Sequence, residues 1–296
     1  MVAAAACLTV DWRVVRLAAK RDGRCRMLEA RRAVAENGQR WERIYDLSDD
    51  TEIVQRDPAG LELAQLPGGR RPFWIPRNNK LALAEVVAEE EEDVYGQGGH
   101  DVRAGDTVLD CGANVGTFTE HALEKGARLV VAIEPEPANV ECLRRNFADA
   151  IAAGRVIVVP KGVWDKDDTL ALRVLPGQSG SGSVAMARPG AIEEVRVQLT
   201  TIDELAAELK LQHVDFVKMD IEGAEKWALA GARATVARFR PRMAISLEHR
   251  TDDPEAIPAL VGRLWPELKS ECGPCVWVKT AAVDRLAPEV LFAGPR

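Results

Sequence analysis

The sequence predicts an α/β protein: a Rossmann-like, doubly wound and mostly parallel sheet, joined to a smaller N-terminal α+β region. Three observations predict it. From Asp106 onward, short apolar runs alternate with helical patterns, the order expected of a parallel sheet covered on both faces. The runs are nearly continuous, as strands buried on both sides require. A glycine-bearing loop, Asp110-Cys-Gly-Ala-Asn-Val-Gly116, separates the first run from the first helix, where such a sheet places its ligand.

The first hundred residues have a different texture. Arg-rich helical segments run to about Arg43, Leu61 to Leu66 alternates as a half-buried strand, and Pro67-Gly68-Gly69 turns the chain into a short strand at Phe73-Trp74-Ile75. Leu81 to Val94 has helical spacing through Leu83, Val86 and Val87, and its acidic run, Glu89 to Asp93, reads as a solvated face. Gln97-Gly98-Gly99 is a joint. The expected division is therefore 1–98, a helical and β-ribbon region that could cover a substrate, and 99–296, the ligand-binding domain. Within the latter, strands are predicted at 107–111, 129–133, 156–160, 214–219 and 243–247, and helices at 117–125, 138–150, 202–209, 225–238 and 254–264. Thr201-Ile-Asp-Glu204 is a capping box that starts one of these helices. A polar insert, Gly177 to Ser183, separates possible strands at 170–174 and 195–200 and is either a lid or a slack loop.

Composition narrows the function classes. With 296 residues, 47% hydrophobic and 29% charged, the chain can bury a sizeable core. A net charge of −7 argues against nucleic acid as the partner of the whole chain. Arg13 to Arg32 carries +6, leaving −13 elsewhere, so a basic helix is either a solvated face or a dock for an acidic partner or membrane surface. The apolar run Met1 to Leu8 is too short to cross a bilayer and lacks a preceding basic segment, so no membrane partner, no export and a cytoplasmic location are expected. Six scattered cysteines suggest no disulfide framework and a reducing compartment. Cys272-Gly-Pro-Cys275 spells a dithiol motif, but Val276-Trp-Val278 after it reads as a strand rather than a helix, which makes Gly273-Pro274 a hairpin turn between two incidental thiols. No second ligand pair completes a zinc site.

The chemistry concentrates at the strand ends. Gly112 and Gly116 allow a tight turn close to a ligand, and Asp110, Asn114 and exposed amides offer hydrogen bonds to amino and carboxylate groups. A dinucleotide fingerprint requires glycine where Asn114 stands, which disfavours NAD and FAD. Glu134, followed by Pro135, ends the second strand 24 positions after Asp110 and can accept both hydroxyls of a ribose. A glycine loop and a ribose acid without phosphate machinery point to a nucleoside carrying an amino acid, S-adenosylmethionine.

The residues also carry a resemblance. Val108-Leu-Asp-Cys-Gly-Ala-Asn-Val-Gly-Thr-Phe118, Ile133-Glu-Pro-Glu-Pro137 with Leu143 and Asn146, Leu199-Thr-Thr-Ile-Asp203, Val217-Lys-Met-Asp-Ile-Glu-Gly-Ala-Glu225, Gly231, Pro241 and Leu247-Glu-His249 resemble the FkbM-type methyltransferase family in order and spacing. The resemblance spans about Asp106 to His249 and implies a class I methyltransferase fold and S-adenosylmethionine-dependent O-methylation of sugar or natural-product hydroxyls. It implies that Asp110, Gly112, Asn114, Gly116 and Glu134 hold the cofactor, with Val163 or Trp164 against adenine. By analogy, the helix ending at Val94-Tyr95 packs near the cofactor mouth, where Tyr95 could contact substrate or methionine. Cys111 stands where an aliphatic residue is usual, and the basic N-terminus and the Cys-Gly-Pro-Cys segment lie outside the match.

Methyl transfer to a hydroxyl requires an in-line approach and a base for the proton. Asp220, Glu222, Glu225, Glu248 and His249 follow the fourth and fifth strands, and His249 or Asp220 is the expected base. Histidine can serve as a neutral base near pH 7, whereas a carboxylate needs burial or crowding. Glu225 is also placed to stabilise a helix N-terminus. Asp220 and Glu248 could instead hold Mg²⁺ or a similar cation, which the sequence permits without requiring. The competing classes are a nucleotide-binding oxidoreductase and a cofactor-binding scaffold without turnover.

Overall fold

The computed structural model describes residues 11–174, 193–279 and 283–295. The Gly177–Ser183 insert lies outside the described residues.

The N-terminal region begins with α1 (Trp12–Ala19), capped by Asp11, whose carboxylate accepts from Arg13 N at 2.9 Å. It continues through α2 (Glu29–Asp50), the antiparallel sheet β1 (Glu52–Arg56), β2 (Leu61–Gln65) and β3 (Phe73–Pro76), and α3 (Lys80–Glu91). Ile44, Leu47, Leu61, Phe73, Ile75, Leu83 and Val87 form its core. Val115 and Cys142, from beyond residue 98, belong to the same cluster. Arg40 of α2 pairs with Glu289 at 2.5 Å, and Trp74 N donates to the Asn146 side chain at 2.7 Å. Part of the basic stretch is paired within the fold: Arg16 and Lys20 meet Asp284, and Arg24 meets Asp22.

The second region contains β4 (Thr107–Cys111), α4 (Thr117–Glu124), β5 (Leu129–Ile133), α5 (Pro137–Asn146), α6 (Ala148–Ala152), β6 (Val156–Val159), β7 (Gly162–Val163), β8 (Asp168–Val174), β9 (Glu193–Thr200) and α7 (Ile202–Glu208). It ends with β10 (Phe216–Met219), α8 (Glu225–Ala230), α9 (Arg233–Phe239), β11 (Arg242–Ser246), α10 (Asp253–Leu264), β12 (Leu268–Cys272), β13 (Cys275–Lys279), β14 (Asp284–Pro288) and β15 (Val290–Pro295). Seven strands form one sheet in the order β12-β15-β11-β10-β4-β5-β6. The strands from β11 to β6 run parallel, whereas β15 lies antiparallel to both its neighbours. The strand order reverses between β4 and β10, the topological switch point at which open sheets bind ligands.

Register sets the site. Cys111 pairs with Met219 and Ile133, and Met219 with Ile245, so the carboxyl ends of β4, β5, β10 and β11 are level. The segments after them therefore open on one edge of the sheet. Buried residues from both faces, such as Leu109, Ile133, Met219 and Ile245 on one and Val108, Val130, Phe216 and Ala244 on the other, hold this edge rigid.

Several expectations need correction. The helix expected at 225–238 breaks after Ala230, because Gly231 packs so closely on the Trp164 carbonyl that no Cβ would fit. The helix at 138–150 divides into α5 and α6 at Phe147. The acidic run is not one solvated face. Glu89 and Glu90 are half-buried, whereas Glu91 and Glu92 reach out to Arg43 and Arg40. Cys275 is not an incidental thiol but is joined to Cys25, 250 positions away, while Cys272 remains free. Gly273-Pro274 is not a hairpin turn either, since β12 pairs with β15 and β13 with β14. The disulfide removes the cysteine argument for a reducing compartment. No helix among the described residues is long and apolar enough to cross a membrane.

Candidate active site

The loop after β4 is built on left-handed residues: Gly112 at φ 82°, Asn114 at 51° and Gly116 at 100°. A Cβ on Gly112 would collide with the Asp220 carbonyl oxygen, and one on Gly116 with the Phe147 ring. Both glycines therefore serve the turn and its internal packing. Four of the loop amides are also occupied. Gly112 N and Ala113 N donate to Ile133 O, Asn114 N to Glu134 Oε2 and Gly116 N to Ala113 O. The Asn114 side chain, half-exposed, makes no hydrogen bond among the described residues and remains open to a ligand.

Asp110 is fully buried beneath this loop, not presented to the crevice. Its Oδ2 accepts from Thr119 Oγ1 at 2.7 Å, and its Oδ1 has no hydrogen bond and lies 3.7 Å from Lys218 Nζ. Burial raises its pKa. Lys218, which sequence reading passed over, ties the site together: Nζ donates to Gly112 O at 2.9 Å and stands 3.8 Å from Asp220 Oδ2. Its signal was legible, since a lysine between Val217 and Met219 in a buried parallel strand must find partners.

Glu134 sits where expected. Its Oε2 accepts from Asn114 N and its Oε1 from Glu136 N, both at 2.9 Å. A carboxylate offers about four lone-pair sites, so each oxygen retains capacity for a hydroxyl. Burial, then the neighbouring Glu136, pushes its pKa up to about 8. Pro135 follows, half-buried beside Gly162. Val163 packs into the main core, so its side chain is committed to packing. Trp164 stacks on Trp227 with ring centroids 4.8 Å apart and planes 7° from parallel, and Arg250 covers the Trp227 ring at 5.2 Å.

Across the crevice, Asp220, Glu222, Glu225, Glu248 and His249 converge. His249 Nδ1 lies 2.9 Å from Glu225 Oε1, and its Nε2 lies 3.3 Å from Asp220 Oδ1 and 3.9 Å from Glu222 Oε2. Tyr95 Oη donates to Asp220 Oδ2 at 3.0 Å, so the helix after which it stands does reach the site. Burial alone disfavours the imidazolium, but Glu225, Glu222 and Asp220 outweigh it and hold the His249 pKa well above the ordinary histidine value. This corrects the expectation of a histidine already neutral near pH 7. Burial pushes Asp220 up, but Lys218 and His249 overcome it and keep its carboxyl below the usual range. Glu248 is the opposite case: burial, then Glu289, raise it to about 8. Glu89 of α3, raised by burial and by Asp220 and Glu248, closes the acidic wall. Asp220, Glu225 and His249 bring donor atoms within 4.8 Å of one another, a grouping a divalent cation can occupy. Here Glu225 Oε1 already receives Ile221 N and Gly223 N as well as the imidazole, so the cluster is closed by its own hydrogen bonds.

The profile of the Methyltransferase FkbM domain matches residues 110–273, more than half of the chain. The chain is 29% identical over 198 residues to the 31-O-demethyl-FK506 methyltransferase FkbM of Streptomyces tacrolimicus, covering 58% of this chain and 75% of that protein. It is 26% identical over 153 residues to the methyltransferase sdnD of Sordaria araneosa, covering 42% and 59%. A crystal structure of methyltransferase FkbM from Methylobacillus flagellatus superposes with a TM-score of 0.46 at 17% identity, covering 88% of this chain and 60% of that one. The match thus spans about three fifths of the length of the latter two proteins. The matched segment contains the glycine loop, Glu134 and the Asp220–His249 cluster, and on that correspondence the chain belongs to the FkbM methyltransferase family.

Proposed function

We propose that this methyltransferase uses S-adenosylmethionine to methylate a hydroxyl of a small molecule, a sugar or a natural product, with His249 as general base. The observation that carries the reading is the arrangement at the switch point: Glu134 and the Asn114 side chain lie on the β4–β5 side, and the His249–Asp220 pair on the β10–β11 side. The cofactor fits this chain's residues, since Glu134 keeps a free lone pair on each oxygen for the ribose hydroxyls and Asn114 keeps its amide for the amino-acid end. Trp164, beyond β6, borders the adenine end. S-adenosylmethionine supplies an electrophilic methyl on a sulfonium. The chain orients the acceptor oxygen toward it and removes its proton. Asp220 is a weak base because Lys218, His249 and the Tyr95 hydroxyl stabilise its charge. Its role is to stabilise the imidazolium formed when the neutral His249 takes the proton on Nε2, while Glu248 and Glu222 line the approach.

The test is cofactor turnover by purified protein against sugars, glycosylated natural products and phenols, with and without chelator. Turnover on a hydroxyl acceptor, unchanged by chelator and lost in His249→Gln with S-adenosylhomocysteine binding retained, is the expected result. Binding without turnover on any acceptor would favour a scaffold. Transfer only to RNA would overturn the small-molecule reading.

A further inference from the structure

Glu225 opens α8, a helix of six residues, and a helix-dipole role would leave it at the surface. Instead it is 0% exposed, and the chain folds around it. Glu222 at φ 57° and Gly223 at φ 91° turn the backbone so that Ile221 N and Gly223 N point at Glu225 Oε1, at 3.0 and 3.4 Å. The third donor to the same oxygen is His249 Nδ1 at 2.9 Å, from the end of β11. Glu225 Oε2 is buried with no hydrogen bond. The carboxylate is thus committed through one oxygen, fixed by two backbone amides, to one imidazole nitrogen.

We propose that Glu225 is a positioning residue for His249, fixing the imidazole in its Nδ1–H form so that Nε2 is the nitrogen that accepts the proton. The inference rests on the reading of His249 as the base. A carboxylate oxygen can only accept, so a nitrogen 2.9 Å from it carries the hydrogen. The proton that leaves at higher pH is therefore the one on Nε2, which faces Asp220 at 3.3 Å. Of the other charged groups, Asp220 and Glu222 favour a proton on Nε2, but they stand farther off than Glu225, whose oxygen two backbone amides hold 2.9 Å from Nδ1. Glu222 faces Nε2, and Glu248 precedes His249 on β11. Lys218 and Tyr95 stand behind Asp220, and Glu89 of α3 lies beyond it. Asp253 of α10, which Lys226 Nζ approaches at 3.1 Å, stands behind Glu225. Among these groups Glu225 alone is bonded to Nδ1.

The readout is the ¹⁵N chemical shifts of the His249 ring in the apo protein across pH 6 to 10, assigned by comparison with His249→Gln. The expected wild-type result is Nδ1–H with a bare Nε2 in the neutral ring, the reverse of free histidine in water. Glu225→Gln, which keeps the size of the side chain, is expected to lower the ring's midpoint by about one unit or more, a tenfold change in its protonation equilibrium. In the same variant kcat falls about tenfold or more, its pH profile moves down with the ring, and S-adenosylhomocysteine affinity stays within about twofold. Glu225→Asp restores part of the shift. A neutral ring protonated on Nε2, or a midpoint unmoved in Glu225→Gln, overturns the proposal. The wild-type shifts decide it even if the Gln variant fails to fold. Absence of turnover on every acceptor would remove the base reading and, with it, the catalytic consequence, while the shifts would still report whether Glu225 fixes the ring.

Discussion

Glu134 allows the cofactor site to be tested by charge alone. In the ligand-free protein its pKa is about 8, so at pH 7 roughly nine-tenths of the molecules hold it protonated. Accepting two ribose hydroxyls, in addition to Asn114 N and Glu136 N, requires the carboxylate. Ionising it at pH 7 costs about 1.4 kcal/mol, or about tenfold in affinity, and that cost vanishes near pH 9. S-adenosylhomocysteine titrated calorimetrically at pH 7 and pH 9 should therefore bind about tenfold more tightly at the higher pH. Glu134→Gln should bind about 10²-fold more weakly at pH 9, because hydrogen bonds to a charged acceptor contribute about 1.5–3 kcal/mol each. It should also lose the tenfold slope, and comparing the two proteins cancels any titration of the ligand itself. The amide cannot accept from both backbone N–H groups, so urea unfolding should show a loss of about 1–3 kcal/mol with the fold retained. An equal slope in wild type and variant would refute the placement of the ribose on Glu134.

Three further outcomes follow from the same geometry. Glu90, Glu134 and Glu248 keep their protons to about pH 8 in the native state, whereas unfolded glutamates release them near pH 4.3. The native state thus binds more protons between those values, so stability falls as pH rises through that window, and His249, raised in the native state, adds to the fall at its upper end. Urea midpoints should be lower at pH 8.5 than at pH 6, and a flat or rising profile would contradict the burial of these acids. Gly112→Ala forces a Cβ into the Asp220 carbonyl at a left-handed φ, so it should destabilise by about 3 kcal/mol or more and abolish cofactor binding, read by thermal melting and calorimetry. Cys25→Ser releases a closure of 250 residues and should cost about 2–4 kcal/mol in oxidised protein, with no further loss on adding reductant, whereas wild type loses stability when reduced.

The sheet was legible because its signals are local. Apolar runs marked β4, β5, β6, β10 and β11, the loop glycines marked the turn, and the Thr201 capping box appears with Thr201 Oγ1 accepting from Glu204 N at 2.9 Å. That Glu134, Asp220, Glu248 and His249 lie at strand ends was legible because strand ends can be read in order, and the register of β4, β5, β10 and β11 brings those ends level. What the sequence concealed depends on long-range packing. Nothing in the spacing of Cys25 and Cys275 distinguishes a bonded pair from two thiols, and nothing around Glu89 shows that half of the acidic run turns inward. The charge state of His249 was misjudged because it is set by three carboxylates of one segment, Asp220, Glu222 and Glu225, which only the folding of the sheet brings against the ring. The packing of Gly112, Gly116 and Asp110 was concealed because their neighbours, Asp220, Phe147 and Thr119, become apparent only in three dimensions.

The placement of Lys218 explains why one carboxylate at this edge becomes a poor base and another a strong one. Its ammonium is within 4 Å of both Asp110 and Asp220 and binds the carbonyl of Gly112, so a single buried cation links the loop after β4 to the β10–β11 side of the sheet edge. Asp220 gains that counter-charge and the Tyr95 hydroxyl, and it stays ionised. Glu248 is buried and faces Glu289 and Asp220, which His249 and Arg40 do not offset, so its pKa rises to about 8. Arg40, which also acts on Glu248, is itself held by Glu289 and Glu92. The N-terminal region is therefore part of the electrostatics of this edge: α2 supplies Arg40, α3 supplies Glu89, and Tyr95 donates to Asp220, the carboxylate facing His249 Nε2. Burying so many acids against one lysine and one histidine opposes folding. A protein selected for stability alone would replace them, and their retention at the switch point fits a site organised around moving one proton.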